Sequence, residues 1–484
     1  MRLREIGTGF ITASFIAASC IPALFSQTVP SPQRTYKLPA YTETKFTNGL
    51  NVVLVQDDRF PLVTARLVFG GGTRKDPRDA PGAAAAVAAL LLRGTASRSA
   101  RQFAEDVDSI GCTMTATARP DSIALEATAL SDSTGSLLVL MSDILRSVEF
   151  PEHEVDLYRQ ARNQGLRQEA LQPPTIAAKL VRGALFGSID YGAPDPVTVD
   201  HLDRELLVQY RDSVFVPNNA SLILIGKLPA RAELMKALTY VFGGWVEKKS
   251  LPSVAPKPPE AKRRLMLVDR PGGTQAEIRV SRIGTAFGSP EVLPLLMASA
   301  IVGSSPDSRL TRGLGDTLKP GEDVHTEVSM LADSGTFTAS ARVRNEIAGD
   351  VLGKIVANLE RISNEPVDAN ELATAKSLAI GSFLLSMETQ QNLADNLAMM
   401  KVMNLPKDYL EGFTTRAGAV DAARIQAAAK KWMSPGDAVI VVVGDASKIR
   451  AQLEKVGPFE TVRADTGEPE TGKPDAAKQP LPKP

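Results

Sequence analysis

The sequence predicts two duplicated α+β domains of similar size, and three observations carry that expectation. The first is a repeated strand ending. Pro217-Asn218-Asn219-Ala220 precedes the apolar run Ser221-Leu222-Ile223-Leu224-Ile225-Gly226, and Pro435-Gly436-Asp437-Ala438 precedes Val439-Ile440-Val441-Val442-Val443-Gly444. The second is a repeated helix opening. Pro151 with Glu154, and Pro366 with Glu371, each begin a long Ala/Leu/Gln-rich segment of helical period. The third is the stretch Lys248 to Arg264 between them, where Pro252, Pro256, Pro258 and Pro259 stand among Lys and Glu. That composition suits an extended, solvated linker. Each half then reads as strands, a helix, more strands, further helices and one closing strand.

In chain order, residues 1–26 read as an export signal. Arg2 and Arg4 give a basic start, Phe10 to Ala18 is apolar, and small residues with Pro22 lead to a cleavage point near Ser26. A second reading is a lipoprotein box, Ala17-Ala18-Ser19-Cys20, in which Cys20 would be lipidated; the leucine usual three residues earlier is Ala17. No later run reaches the roughly twenty apolar residues of a membrane span. The mature chain is therefore expected in the periplasm or medium, or tethered by a lipid on Cys20. Residues 27–39 read as a spacer, 40–247 as the first domain, 248–264 as the linker, 265–463 as the second domain and 464–484 as a disordered tail.

Within the first domain, Leu50 to Val55 and Leu62 to Phe69 are β-branched-rich runs joined through Asp57-Asp58-Arg59-Phe60, which reads as a hairpin. Gly70-Gly71-Gly72 reads as a flexible strand exit, since no Gly-Lys-Ser/Thr or dinucleotide spacing follows. Composition excludes several functions. Lys and Arg number 55 and Asp and Glu 55, so the chain lacks the charge of a general nucleic-acid binder. Two cysteines make no disulfide framework, and Cys112 reads as a buried small hydrophobe. Three histidines, His153, His201 and His325, lie in separate segments and make no helical metal pair.

The order of short motifs resembles the M16 (insulinase or pitrilysin-like) zinc peptidases over about residues 40 to 460. The marks are Thr47-Asn48-Gly49-Leu50-Asn51-Val52-Val53-Leu54, Gly70-Gly71-Gly72-Thr73-Arg74-Lys75-Asp76, Pro81-Gly82, Arg93-Gly94-Thr95 and the closing strand of each half. The resemblance implies two M16-like (LuxS/MPP-like) α+β domains, each a mostly antiparallel sheet packed with helices, together forming half of a clamshell. Active members carry His-x-x-Glu-His on the helix between Pro-Gly and Arg-Gly-Thr. Two histidines four apart share a helix face and hold one metal, and the glutamate serves its water.

Here that helix is Gly82 to Leu92, and anchoring on both flanks puts the histidine positions at Ala85 and Ala89 and the glutamate position at Ala88. The third-ligand position falls at Leu166 and an earlier acidic one at Arg159. Glu169, three residues on, reads as a solvated helix residue. The Ala helix is apolar all round and is expected to be fully buried. The family's substrate-holding Arg and Tyr fall at Gly315 and near Glu322, leaving Arg309 and Arg312 as candidate substrate contacts. The resemblance thus implies an exported, non-catalytic M16-like subunit, with no catalytic residue, metal or cofactor of its own. It would pair as a heterodimer with a zinc-bearing M16 subunit around peptides or unfolded polypeptides. The alternative is a peptide-binding or scaffold protein of the cell envelope without a peptidase partner.

Overall fold

The computed structural model describes residues 36–187, 193–248 and 262–470. Residues 1–26 with Cys20, and most of the linker, lie outside the described residues. The chain builds two six-stranded sheets. The first runs Tyr41–Lys45, Asn51–Gln56, Ala220–Gly226, Leu62–Gly70, Ser122–Leu130, Thr113–Ala118. The second, from its matching edge, runs Glu460–Thr461, Arg264–Asp269, Val439–Gly444, Gln275–Gly284, Gly335–Arg344, Asp323–Met330. In both, the closing strand is central, parallel to the first long strand and antiparallel to the next. The duplicated α+β fold is present, with sheets that are mostly antiparallel.

The expected hairpin between Asn51–Gln56 and Leu62–Gly70 does not form, because Ala220–Gly226 sits between them. The true hairpin partner of Asn51–Gln56 is Tyr41–Lys45. Gly226 allows this insertion: its φ is +140° and a Cβ there would meet the Leu62 carbonyl oxygen at 2.1 Å. The Gly70–Gly72 exit is likewise a built turn. Gly72 has φ +53°, a Cβ on it would lie 1.9 Å from the Arg119 oxygen, and the Tyr210 hydroxyl donates to its carbonyl at 2.7 Å.

Each sheet buries both faces, which is why its central strands are apolar without alternation. In the first, Val52, Leu54, Leu222 and Leu224 face the half's own helices. Val53, Val55, Ile223 and Ile225 face Leu393, Leu397 and Met400 of the Gln390–Val402 helix, which belongs to the second half. The exchange is reciprocal. The Pro173–Phe186 helix of the first half lays Ile176, Leu180 and Leu185 on Val439, Val441 and Val443 of the second sheet. Ion pairs reinforce the crossing: Arg74 reaches Asp333 at 2.7 Å, Arg66 reaches Asp395 at 2.7 Å and Lys401 reaches Glu43 at 2.8 Å.

The presumed ends are also docked. Leu38, in the stretch read as a spacer, is buried beside the exchanged helix, and its N–H donates to Glu411. The tail expected to be disordered from 464 stays folded through Glu470, whose N–H donates to the Thr461 carbonyl at 3.0 Å. The buried Val462 and the bridge from Val462 to Pro469 hold it, giving these residues an apolar anchor that their own composition does not show.

Candidate functional site

The Ala83–Leu90 helix starts at Gly82, held in the left-handed region at φ +101°. N–H groups at its start, which no helical carbonyl serves, find a partner in Asp76, whose carboxylate accepts from Gly82 N at 2.7 Å and Ala84 N at 2.8 Å. Withdrawal from water pushes the Asp76 carboxyl up to about 7, against the lowering effect of those two hydrogen bonds. Sequence reasoning read Asp76 only as part of a strand-exit motif. Its spacing ahead of a helix-starting Pro-Gly was the available signal.

The helix packs on the Arg204–Val214 helix, the Glu152–Glu169 helix and the Thr113–Ala118 strand. It is not buried all round, as its composition implied. Ala84, Ala86, Val87 and Ala88 are buried, Ala85 is half-buried and Ala89 is exposed. Alanine is small enough to leave a face open without a large apolar cost, so an all-apolar helix need not be an enclosed one. The open face is the one that carries the two histidine positions, while Ala88 is only 4% exposed.

Opposite, on the Glu152–Glu169 helix, Leu166 is half-buried against the first core. Arg159 donates to the Asp200 carbonyl at 3.2 Å, and Glu169 pairs with Arg162 at 2.7 Å. Zinc, which the family resemblance implies for active members, does not fit these residues. Ala85, Ala88, Ala89 and Leu166 offer no donor atom, and among the described residues no group of three or more His, Cys, Asp or Glu is placed to hold a metal ion. His201 contacts the Asp79 carbonyl and His325 contacts Asp323, each exposed and alone.

Beside the Ala83–Leu90 helix the first sheet ends in an edge strand. Thr113–Ala118 is the last strand of its sheet and pairs only with Ser122–Leu130, leaving its other main-chain edge unpaired within the sheet. Its residues alternate exposed and half-buried. Such an edge accepts an extended peptide through main-chain hydrogen bonds.

The second half separates the two candidate arginines. Arg309 is buried, and its Nε and Nη2 each donate to Glu371 at 2.7 Å. Those two bonds tie its head group to the Ala369–Leu385 helix, while its buried Nη1 makes no hydrogen bond. Arg312 is 52% exposed at the mouth of a cavity of about 150 Å³ lined also by Ser305, Asp307 and Glu371. Glu322, at the expected Tyr position, is a buried partner of Arg344 at 2.7 Å, and Gly315 ends the Arg309–Leu314 helix.

The model for the insulinase family (peptidase family M16) matches residues 51–187, and that for the peptidase M16 inactive domain matches residues 201–378. The chain is similar to a zinc protease of Bacillus subtilis, YmxG, at 20% identity over 82% of this chain and 96% of that one. It is also similar to a protein of Arabidopsis thaliana described as a probable mitochondrial-processing peptidase subunit beta, at 19% identity over 84% of this chain and 78% of that one. Among solved structures, the peptidase M16 inactive domain from Pseudomonas fluorescens superposes with a TM-score of 0.77 at 21% identity, covering 84% of this chain and 98% of that one. A protease from Helicobacter pylori gives a TM-score of 0.77 at 18% identity, over 84% and 100%.

Proposed function

The chain belongs to the M16 (insulinase) peptidase family, and from that membership we propose that it is an exported, non-catalytic subunit that forms one half of a peptide-holding chamber with a zinc-bearing M16 partner. The observation that carries the reading is the family's scaffold without metal-binding groups at the family's positions. The helix is capped, packed and open on the metal-facing side, yet Ala85, Ala88 and Ala89 stand at the functional positions and Leu166 at the third-ligand position. Alanine and leucine neither bind a metal nor move a proton. The unpaired edge of Thr113–Ala118 supports a role in holding extended peptide. A related chain being named as a peptidase subunit agrees with pairing.

The test compares hydrolysis of an unfolded polypeptide by this chain, by a zinc-bearing relative from the same cell, and by the mixture, each with and without chelator. The expected result is none from this chain, and chelator-sensitive cleavage by the mixture that exceeds the relative alone. Chelator-sensitive cleavage by the purified chain would overturn the non-catalytic reading. A mixture no faster than the relative alone would favour a peptide-binding or scaffold protein of the envelope. Mass spectrometry of the native N-terminus checks export: a start near Gln27 or a lipidated Cys20 agrees, and an intact Met1 on cytoplasmic protein refutes it.

A further inference from the structure

A strained chain joint lies at the start of the Glu152–Glu169 helix. Phe150 has φ +49° and is fully buried in the first core. Among the described residues only Asn404 shares a positive φ without being glycine, and asparagine tolerates that conformation. A bulky side chain there is an outlier, and the ring of Pro151 further favours an extended residue before it. The duplication supplies an internal comparison. At the matching joint of the second half, Glu365 precedes Pro366 in extended backbone, at φ −116° and ψ 140°. The strain therefore belongs to the first half and not to the architecture. It is held from outside: Arg211 Nη1 donates to the Val148 carbonyl at 2.6 Å and Arg204 Nε to the Glu149 carbonyl at 2.9 Å.

The helix that follows is lightly anchored. Of its 18 residues Val155 alone is buried, while Tyr158 and Leu166 are half-buried against the core. Its polar ties run to Asp200, from Arg159 at 3.2 Å and from Asn163 at 2.6 Å. Beside its first turns lies a cavity of about 520 Å³, lined by Glu152, Val155 and Asp156 from this helix and by Asp203, Arg204 and Glu205 from the start of the Arg204–Val214 helix. A strained joint, a single buried anchor and open space beside them are together what a movable element needs. We propose that Phe150–Pro151 is a two-position joint, and that relaxing Phe150 to extended backbone shifts the first turns of the Glu152–Glu169 helix into this cavity. Arg204 and Arg211 latch the strained position. The same helix packs on the Ala83–Leu90 helix and carries Leu166, so the shift changes the spacing between the third-ligand position and Ala85 and Ala89. The joint does not depend on pairing with a peptidase.

Amide hydrogen exchange of the full mature chain, read by mass spectrometry, tests it. After correction for intrinsic rates, residues 155–160 are expected to exchange about tenfold or more faster than residues 372–377, which follow the relaxed joint of the second half. Pro151→Ala lifts the restriction on Phe150 in the latched position, so it should slow exchange at 155–160 by about tenfold and leave the other helices unchanged. Arg204→Ala removes one latch at an exposed side chain and should speed exchange at the same residues by a similar factor. A merely structural joint would lose protection in both variants, so the opposite signs are the signature of the device. Three results would overturn the proposal: residues 155–160 as well protected as 372–377, exchange unchanged or faster in Pro151→Ala, or exchange unchanged in Arg204→Ala.

Discussion

At Ala88 the packing leaves no solvent-facing place for the glutamate that the family pattern would put there. Ala85 is half-buried and Ala89 exposed, whereas Ala88 is only 4% exposed. Ala85→His with Ala89→His should therefore change stability by less than about 1 kcal/mol. Adding Ala88→Glu buries an unpaired carboxylate and should cost about 3 kcal/mol or more, read from urea unfolding. The triple variant is also expected to bind no stoichiometric zinc by elemental analysis, since Leu166 leaves the third position without a donor. Asp76 gives a second residue-level expectation. Its folded carboxyl titrates near 7, above its ordinary 3.8, because burial disfavours the charge. The folded state then holds the proton longer than the unfolded chain, so this contribution is full below pH 3.8 and is lost as pH rises to about 7. Comparing urea midpoints of wild type and Asp76→Asn across pH 4 to 8 checks it. The advantage of wild type over the variant should shrink as pH rises.

The Ala369–Leu385 helix shows how an element is fixed from outside itself. Along its length only Ala375 and Phe383 are buried. Its start is instead held by the Asp368 and Glu371 capping box and by Arg309 clamped on Glu371. Glu371 lines the nearby cavity and also lies 3.6 Å from Arg312, so Arg309→Ala should cost about 1–3 kcal/mol, the range of hydrogen bonds to a charged group. The hydrogen bond from Arg309 holds the Glu371 carboxyl below its ordinary range, so the clamp is present above that range and is lost as pH falls. A urea series on wild type and variant should show the difference narrowing in acid. The sequence made the helix legible through its Pro366 and Glu371 opening, but not the clamp, because Arg309 lies in a different segment and short-range pattern carries no such pairing. The same limit hid the inserted Ala220–Gly226 strand: adjacent runs with a turn between them look like a hairpin whether or not a distant strand divides them.

Over the whole molecule, the duplicated halves were legible from their repeated strand endings, while their interlock was not. The one available signal was the unbroken apolar run in the closing strands, which marks a sheet covered on both faces without saying by what. The solvated composition of residues 248–264 carries no sign of that interlock. The exchanged helices and the Arg74–Asp333, Arg66–Asp395 and Lys401–Glu43 pairs instead bind the halves within one compact unit. Calorimetry should accordingly show one unfolding transition, and two separated peaks would contradict the interlock. Residues 40–247 expressed alone should aggregate, since Val53, Val55, Ile223 and Ile225 would lose their cover. The exchange also sets a timetable for synthesis. The last strand of the first sheet is complete at Gly226, but its cover begins at Gln390. At about 5–20 residues per second, the ribosome leaves that apolar face bare for roughly ten to thirty seconds. Until the second half is made, the nascent first half carries an uncovered, aggregation-prone sheet face.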